Sequence, residues 1–131
     1  MTTMLVAPCG INCGVCMAYQ RGKNTCPGCR GNDAGKPPTR VRCAIKLCRE
    51  RAEKPFCFSC AGFPCARLRT MDKRYREKYR ISLIGNLEAI RDHGIRKFIV
   101  AEKTKWICPD CGASLCVHRL LCPACGRSRA V

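Results

Sequence analysis

The feature that most constrains this chain is a recurring pair of cysteines separated by two residues. C-x2-C occurs at Cys13/Cys16, Cys26/Cys29, Cys57/Cys60, Cys108/Cys111 and Cys122/Cys125. Two thiolates at that spacing can grip one tetrahedral ion from a tight turn. In all, 15 of the 131 residues are Cys, a density that accompanies a disulfide or a metal scaffold. The number is odd, so pairing alone would leave one thiol over. The opening MTTMLVAPCG has no basic n-region, and its apolar stretch is too short to serve as the core of an export signal. Leu5-Val6-Ala7-Pro8-Cys9 resembles a lipoprotein cleavage box but lacks the hydrophobic run that would feed it. The expected location is therefore cytoplasmic, where reducing conditions favour metal thiolates over disulfides.

Composition explains why staples are needed. The 47% hydrophobic fraction counts every Cys, and Leu, Ile, Val and Phe together number only 26. A core that thin rarely holds a small domain by itself. The length excludes a large barrel or doubly wound enzyme fold, and no apolar run approaches the ~20 residues of a membrane span.

Ten Cys lie between Cys9 and Cys65 and five between Cys108 and Cys125, with a Cys-free stretch of 42 residues between the groups. The expected fold is a small metal-stapled α+β protein: a loop-rich Cys cluster, two or three short helices, and a C-terminal zinc ribbon. Its three segments are an N-terminal metal-binding module over 1–65, a basic helical segment over 66–105, and the ribbon over 106–131. Pro27-Gly28, Gly35-Lys36-Pro37-Pro38 and Gly62-Phe63-Pro64 punctuate the first segment with turns, although Arg42 to Glu53 suits a short helix. In the middle segment, Leu68, Met71, Tyr75 and Tyr79 recur at steps of three and four, predicting a helix over Ala66–Arg80. A second is predicted over about Ser82–Asp92, burying Leu83, Ile84, Leu87 and Ile90, with Gly85 a weak point and Gly94 a left-handed C-cap. Ile95, Phe98 and Ile99 suggest a third.

Cys108-Pro109-Asp110-Cys111-Gly112 and Cys122-Pro123-Ala124-Cys125-Gly126 are two copies of C-P-x-C-G. Pro restricts each turn, and Gly lets backbone amides approach sulfur. Cys108, Cys111, Cys122 and Cys125 are expected to form one four-thiolate zinc site, and its full ligand set makes it structural rather than catalytic. Rubredoxin knuckles share the motif, but the short inter-knuckle loop and cationic surroundings fit a ribbon better. Cys116 and His118, on that loop, read as a packed small hydrophobe and a surface residue; a spare ligand pair is the alternative.

In the N-terminal group, the shortest loops are closed by Cys13, Cys16, Cys26 and Cys29 as one site. A second would draw on Cys48, Cys57, Cys60 and Cys65, with Cys43 competing and Cys9 left over; an interleaved set stays open, because closure entropy depends only logarithmically on length. About three zinc ions per chain follow. Cys9, Cys13 and Cys16 also match the C-x3-C-x2-C triplet that holds a 4Fe–4S cluster in radical-SAM enzymes. The chain is too short for that barrel, while an Fe–S cluster of another kind is an open alternative in this module.

Pro8-Cys9-Gly10-Ile11-Asn12-Cys13-Gly14-Val15-Cys16 with Ala18-Tyr19, Cys26-Pro27-Gly28-Cys29-Arg30, Cys43-Ala44-Ile45-Lys46-Leu47-Cys48 and Cys57-Phe58-Ser59-Cys60-Ala61-Gly62-Phe63-Pro64-Cys65 occur in that order. In this the first half resembles a cysteine-rich family of unknown function from anaerobic bacteria and archaea. The resemblance implies zinc binding and supplies no activity. Asn86 to Trp106 and the C-terminal Cys group resemble a tail that some members carry.

Lys and Arg number 25 against 9 acids, a formal charge of +16. Three four-thiolate zinc sites, each contributing −2, would leave about +10. A small basic protein of this kind suits phosphate contact, and Arg67, Arg69, Lys73, Arg74, Arg76 and Lys78 are the candidate nucleic-acid residues. Aromatic platforms are few, so binding would be led by phosphate and shape rather than by bases. The leading function is a zinc-stapled module contacting RNA, DNA or a ribonucleoprotein. Alternatives are an assembly factor whose basic face meets an acidic protein, and an Fe–S or thiol redox protein. An enzyme ranks last, because His93 and His118 are far apart in sequence and no acid–base pair is evident; no catalytic residue is assigned and no membrane partner is expected.

Overall fold

A computed structural model of the chain describes residues 5–20, 25–31, 36, 45, 47, 48 and 55–129. Helix α1 is a single turn, Met17–Gln20. The helical middle consists of α2 (Ala66–Tyr79), α3 (Leu83–His93) and α4 (Ile95–Lys105). Two 3-10 turns, Cys13–Val15 and Cys57–Ser59, carry C-x2-C pairs. The three predicted middle helices are thus present, each within a residue or two where a span was given. Among the described residues the β component is limited to isolated antiparallel bridges, Val6 with Asn12, Ile107 with Ser114 and Leu121 with Ser128. Each is closed by a tight Cys-bearing turn, so the sheet of a zinc ribbon is not formed there. The helix expected over Arg42 to Glu53, and Cys43 with it, lies outside the described residues. Within that stretch Ile45, Leu47 and Cys48 are described, the Cys48 N–H donating to the Ile45 carbonyl at 3.3 Å.

Local chemistry sets the helix ends. Ser82 caps α3, its Oγ accepting from the Gly85 N–H at 2.9 Å. Asp72 reaches across from α2 to the same terminus. Its Oδ1 accepts from the Ile84 N–H at 3.0 Å and from Ser82 Oγ at 2.9 Å, and its Oδ2 pairs with Arg76 at 2.8 Å. Two free amides of a helix start are thereby satisfied and a negative charge faces the positive end of the dipole. Gly94 ends α3, its N–H donating to the Ile90 carbonyl at 2.8 Å, but with φ 89° and ψ 156° it is not in the expected αL well. That geometry breaks the helix and restarts it at once, because Gly94 is also the N-cap of α4. The left-handed cap falls instead on Arg80, φ 59°, at the end of α2.

The main cluster of buried side chains draws on all three segments and includes Val6, Ile11, Leu68, Leu83, Leu87, Phe98, Trp106 and Val117. Cys9, Cys13, Cys57, Cys108 and Cys122 are part of it, so sulfur fills volume that aliphatic residues would otherwise fill. The N-terminal loop enters the core at Gly10. Its φ is +94°, and a Cβ there would lie 2.6 Å from the Leu83 carbonyl oxygen and 2.9 Å from Leu87 Cγ. Asn86 Nδ2 donates to the Gly10 carbonyl at 3.0 Å from the same helix.

Gly10→Ala therefore combines a left-handed backbone with overpacking against α3, and is expected to cost about 2–4 kcal/mol, read as a lower urea midpoint. For Asp72, burial works against the charged form but is outweighed by the Ile84 amide, the Ser82 hydroxyl and Arg76, so its carboxyl is held below the usual range. A lowered native value means that this stability is present above the ordinary carboxyl pKa of about 4 and is lost as pH falls through the native value. Asp72→Asn is expected to cost about 1–2 kcal/mol at pH 7. The gap between variant and wild type in urea denaturation should narrow as the pH drops below about 4.

Candidate metal centre

The C-terminal knuckles are built twice to one plan. In the first, the Cys108 N–H donates to the Ala113 carbonyl at 2.8 Å and the Gly112 N–H to the Cys108 carbonyl at 2.9 Å. In the second, the Cys122 N–H donates to the Arg127 carbonyl at 2.8 Å and the Gly126 N–H to the Cys122 carbonyl at 2.9 Å. Gly112 and Gly126 take matching positive φ values of 74° and 78°. Cys108 and Cys122 are buried while Cys111 and Cys125 are exposed. An ion pair from Arg127 Nη1 to Asp110 Oδ1 at 2.6 Å links one knuckle to the other on the surface.

This plan brings four sulfurs together. Those of Cys108, Cys111, Cys122 and Cys125 all lie within 4.8 Å of one another, and the Cys108–Cys125 and Cys111–Cys122 separations are each 3.6 Å. A tetrahedron with Zn–S bonds of ~2.3 Å has edges of about 3.8 Å, so the set can hold a metal ion and its size is compatible with zinc. The electrostatics agree. The amides of Cys125 and Ala124 point at Cys122 Sγ and bring its pKa down to about 6. Cys111 is pushed up to about 12: the Ala113 amide pulls it down, but lost solvation and the sulfurs of Cys122, Cys125 and Cys108 outweigh it. One thiolate forms readily and its neighbours resist a second charge, which is the state a cation relieves.

The N-terminal Cys are placed in smaller groups. The Cys29 N–H donates to Cys13 Sγ at 3.4 Å, and the Cys29 thiol, burial and Cys9 all raise the Cys13 thiol. Cys16 packs instead with Cys26 against Tyr19 in a separate small cluster. The expected set of Cys13, Cys16, Cys26 and Cys29 is thus described as two pairs. Cys48, Cys57, Cys60 and Cys65 line one cavity. Among the described residues only the C-terminal four close to within 4.8 Å as a set.

Sequence reading missed His118. It is a half-buried tether rather than a surface residue: the Met17 N–H donates to its Nδ1 at 3.2 Å, and its ring meets the edges of Tyr79 and Tyr75 at 4.8 and 6.0 Å. Cys116 is 3% exposed, as expected of a packed small hydrophobe, and burial first, then Cys16, raises its thiol. Arg129 is buried 5.0 Å from the Trp106 ring centroid and donates to the carbonyls of Arg119, Tyr79 and Val117. These partners lie up to about a hundred positions apart, and no local spacing marks them.

Residues 5–70 match the family described as DUF3795, protein of unknown function. The chain belongs to this family. No curated protein and no solved structure matches it. The DUF3795 match spans α1, both 3-10 turns and the start of α2, and the C-terminal centre lies outside it.

Metal affinity of the C-terminal centre is expected to fall with pH, because protons compete for the thiolates, with release below the metal-free Cys122 value of about 6, followed with a chromophoric chelator. Cys122→Ser should abolish binding at this centre, whereas Cys116→Ser should leave it intact, read as metal content of the purified chains.

Proposed function

We propose that this DUF3795 member is a zinc-stapled module that lies against the phosphate backbone of RNA or DNA through the flanks of α2. The supporting observation is how the helices sort their charges. α2 and α4 turn an acid inward, Asp72 and Glu102, each 4% exposed. Their bases Arg69, Lys73, Arg74, Lys78, Arg96, Lys97, Lys103 and Lys105 are exposed. The outward faces are therefore more basic than the sequence totals imply.

At 3.6 residues per turn, the six candidates on α2 form two rows on either side of its buried stripe. Arg67, Arg74 and Lys78 make one, and Arg69, Lys73 and Arg76 the other, with Arg76 already paired to Asp72. A single strand would meet one row at a time. Phe56, Tyr75, Phe98 and Trp106 are buried, which favours phosphate contact over base stacking. Zinc is the ion proposed for the C-terminal four, since four thiolates with no open position make a structural site. A reducing, cytoplasmic setting would keep those thiols as ligands; among the described residues no helix is long and apolar enough to cross a membrane.

Binding of the zinc-loaded chain to a mixed-sequence single-stranded RNA should weaken with salt. Three contacts give a log–log slope of about −2, and replacing Arg74 and Lys78 by Ala should flatten it by about 1.4. Binding that ignores salt would refute this reading, and a nuclease-resistant complex with one acidic protein would replace it.

A further inference from the structure

We propose that Cys48, Cys57, Cys60 and Cys65 form a second metal site, a four-thiolate centre for a soft divalent cation beneath the start of α2. This site is independent of the C-terminal centre and of the nucleic-acid reading. Its four thiols line one cavity together with Ile45, Phe63, Arg67 and Leu68. Three short elements deliver them. The 3-10 turn Cys57–Ser59 is closed by the Cys60 N–H donating to the Cys57 carbonyl at 3.0 Å. With three residues per turn, side chains at i and i+3 leave on the same side. The Phe63 N–H then donates to the Cys60 carbonyl at 3.1 Å and turns the chain back. Cys65 follows as the N-cap of α2, its carbonyl accepting from the Arg69 N–H at 2.9 Å. Cys48 and Ile45 line the cavity together, the Cys48 N–H donating to the Ile45 carbonyl.

The walls suit thiolates that hold a cation. Ile45, Phe63 and Leu68 are apolar, and among the described residues Arg67 is the one charged side chain in the lining. A divalent ion among four thiolates leaves a net charge of −2, and both Arg67 and the positive end of a 14-residue helix oppose it. No three of these sulfurs lie within 4.8 Å of one another, as the C-terminal four do, so binding must draw the thiols inward from all walls of the cavity. Cys57 is also bonded to the family motif, its N–H donating to the Pro8 carbonyl at 3.0 Å. Closing the cavity would then fasten that motif to α2.

The test uses the full, unsubstituted chain purified without oxygen, because a Cys57 or Cys60 variant that fails to fold would be silent. Zinc and iron are counted by elemental analysis, and iodoacetamide alkylation is mapped peptide by peptide before and after chelation. The expected result is at least two ions per chain. In the loaded protein Cys48, Cys57, Cys60 and Cys65 should react about tenfold or more slowly, and all four should become reactive together on chelation. A zinc count identifies a colourless tetrathiolate, and an iron count with visible absorption identifies an iron-thiolate centre; either at these four thiols supports the site. Equal alkylation of Cys60 and Cys65 in loaded and stripped protein, with the Cys108 set protected, would overturn it. Protection of this set while the Cys108 set stays reactive would sink the C-terminal reading instead and leave this one standing.

Discussion

Glu102 ties together the three stretches of the chain. Its carboxyl group is 4% exposed, and Oε1 accepts from Asn12 Nδ2 at 3.4 Å and from Trp106 Nε1 at 3.1 Å. Asn12 sits inside the C-x3-C-x2-C motif, where its Oδ1 takes the Gly14 N–H at 3.0 Å and starts the Cys13–Val15 turn. Trp106 leads into the first C-terminal knuckle, and its carbonyl accepts from the Leu115 N–H at 2.9 Å. A buried polar group is tolerable only when its partners are in place, so this bond set fixes the motif, α4 and the knuckle in one arrangement.

The second constraint is the scarcity of hydrocarbon. Leu, Ile, Val and Phe number only 26 of 131 residues, a thin supply of apolar side chains for one core, and cysteine adds to it. Cys9, Cys13, Cys57, Cys108 and Cys122 occupy core volume as small hydrophobes. Of these, Cys108 and Cys122 also belong to the C-terminal set that could hold a metal ion, where the sulfurs stand near the edge length of a tetrahedron. An ion held there would engage side chains that already pack the core, and so would contribute to folding rather than decorate a finished fold.

Much of this was legible in the sequence. The C-P-x-C-G repeat located the four converging thiols because Pro, Cys and Gly act within five residues, and the i, i+3, i+4 pattern located α2 and α3 because helical burial is periodic. What escaped is non-local. The cap that Asp72 provides for α3 crosses between helices, and His118 and Arg129 find partners on other segments. The grouping of the N-terminal Cys stayed open for a related reason. Loop length ranks the possible sets only weakly, and the described geometry separates Cys13 from Cys16 although they share one C-x2-C. The β content was overestimated because each knuckle closes a single bridge and then ends.

Charge follows from the same economy. With so few acids, this chain spends Asp72 on a helix terminus and Glu102 on the central bond set, both inside. The Lys and Arg residues of α2 and α4 are left to face outward. A four-thiolate ion of net charge −2 at the C-terminal knuckles offsets only a small part of +16. The basic character comes from 25 Lys and Arg against 9 acids, and burying Asp72 and Glu102 sharpens it on the outward faces of α2 and α4.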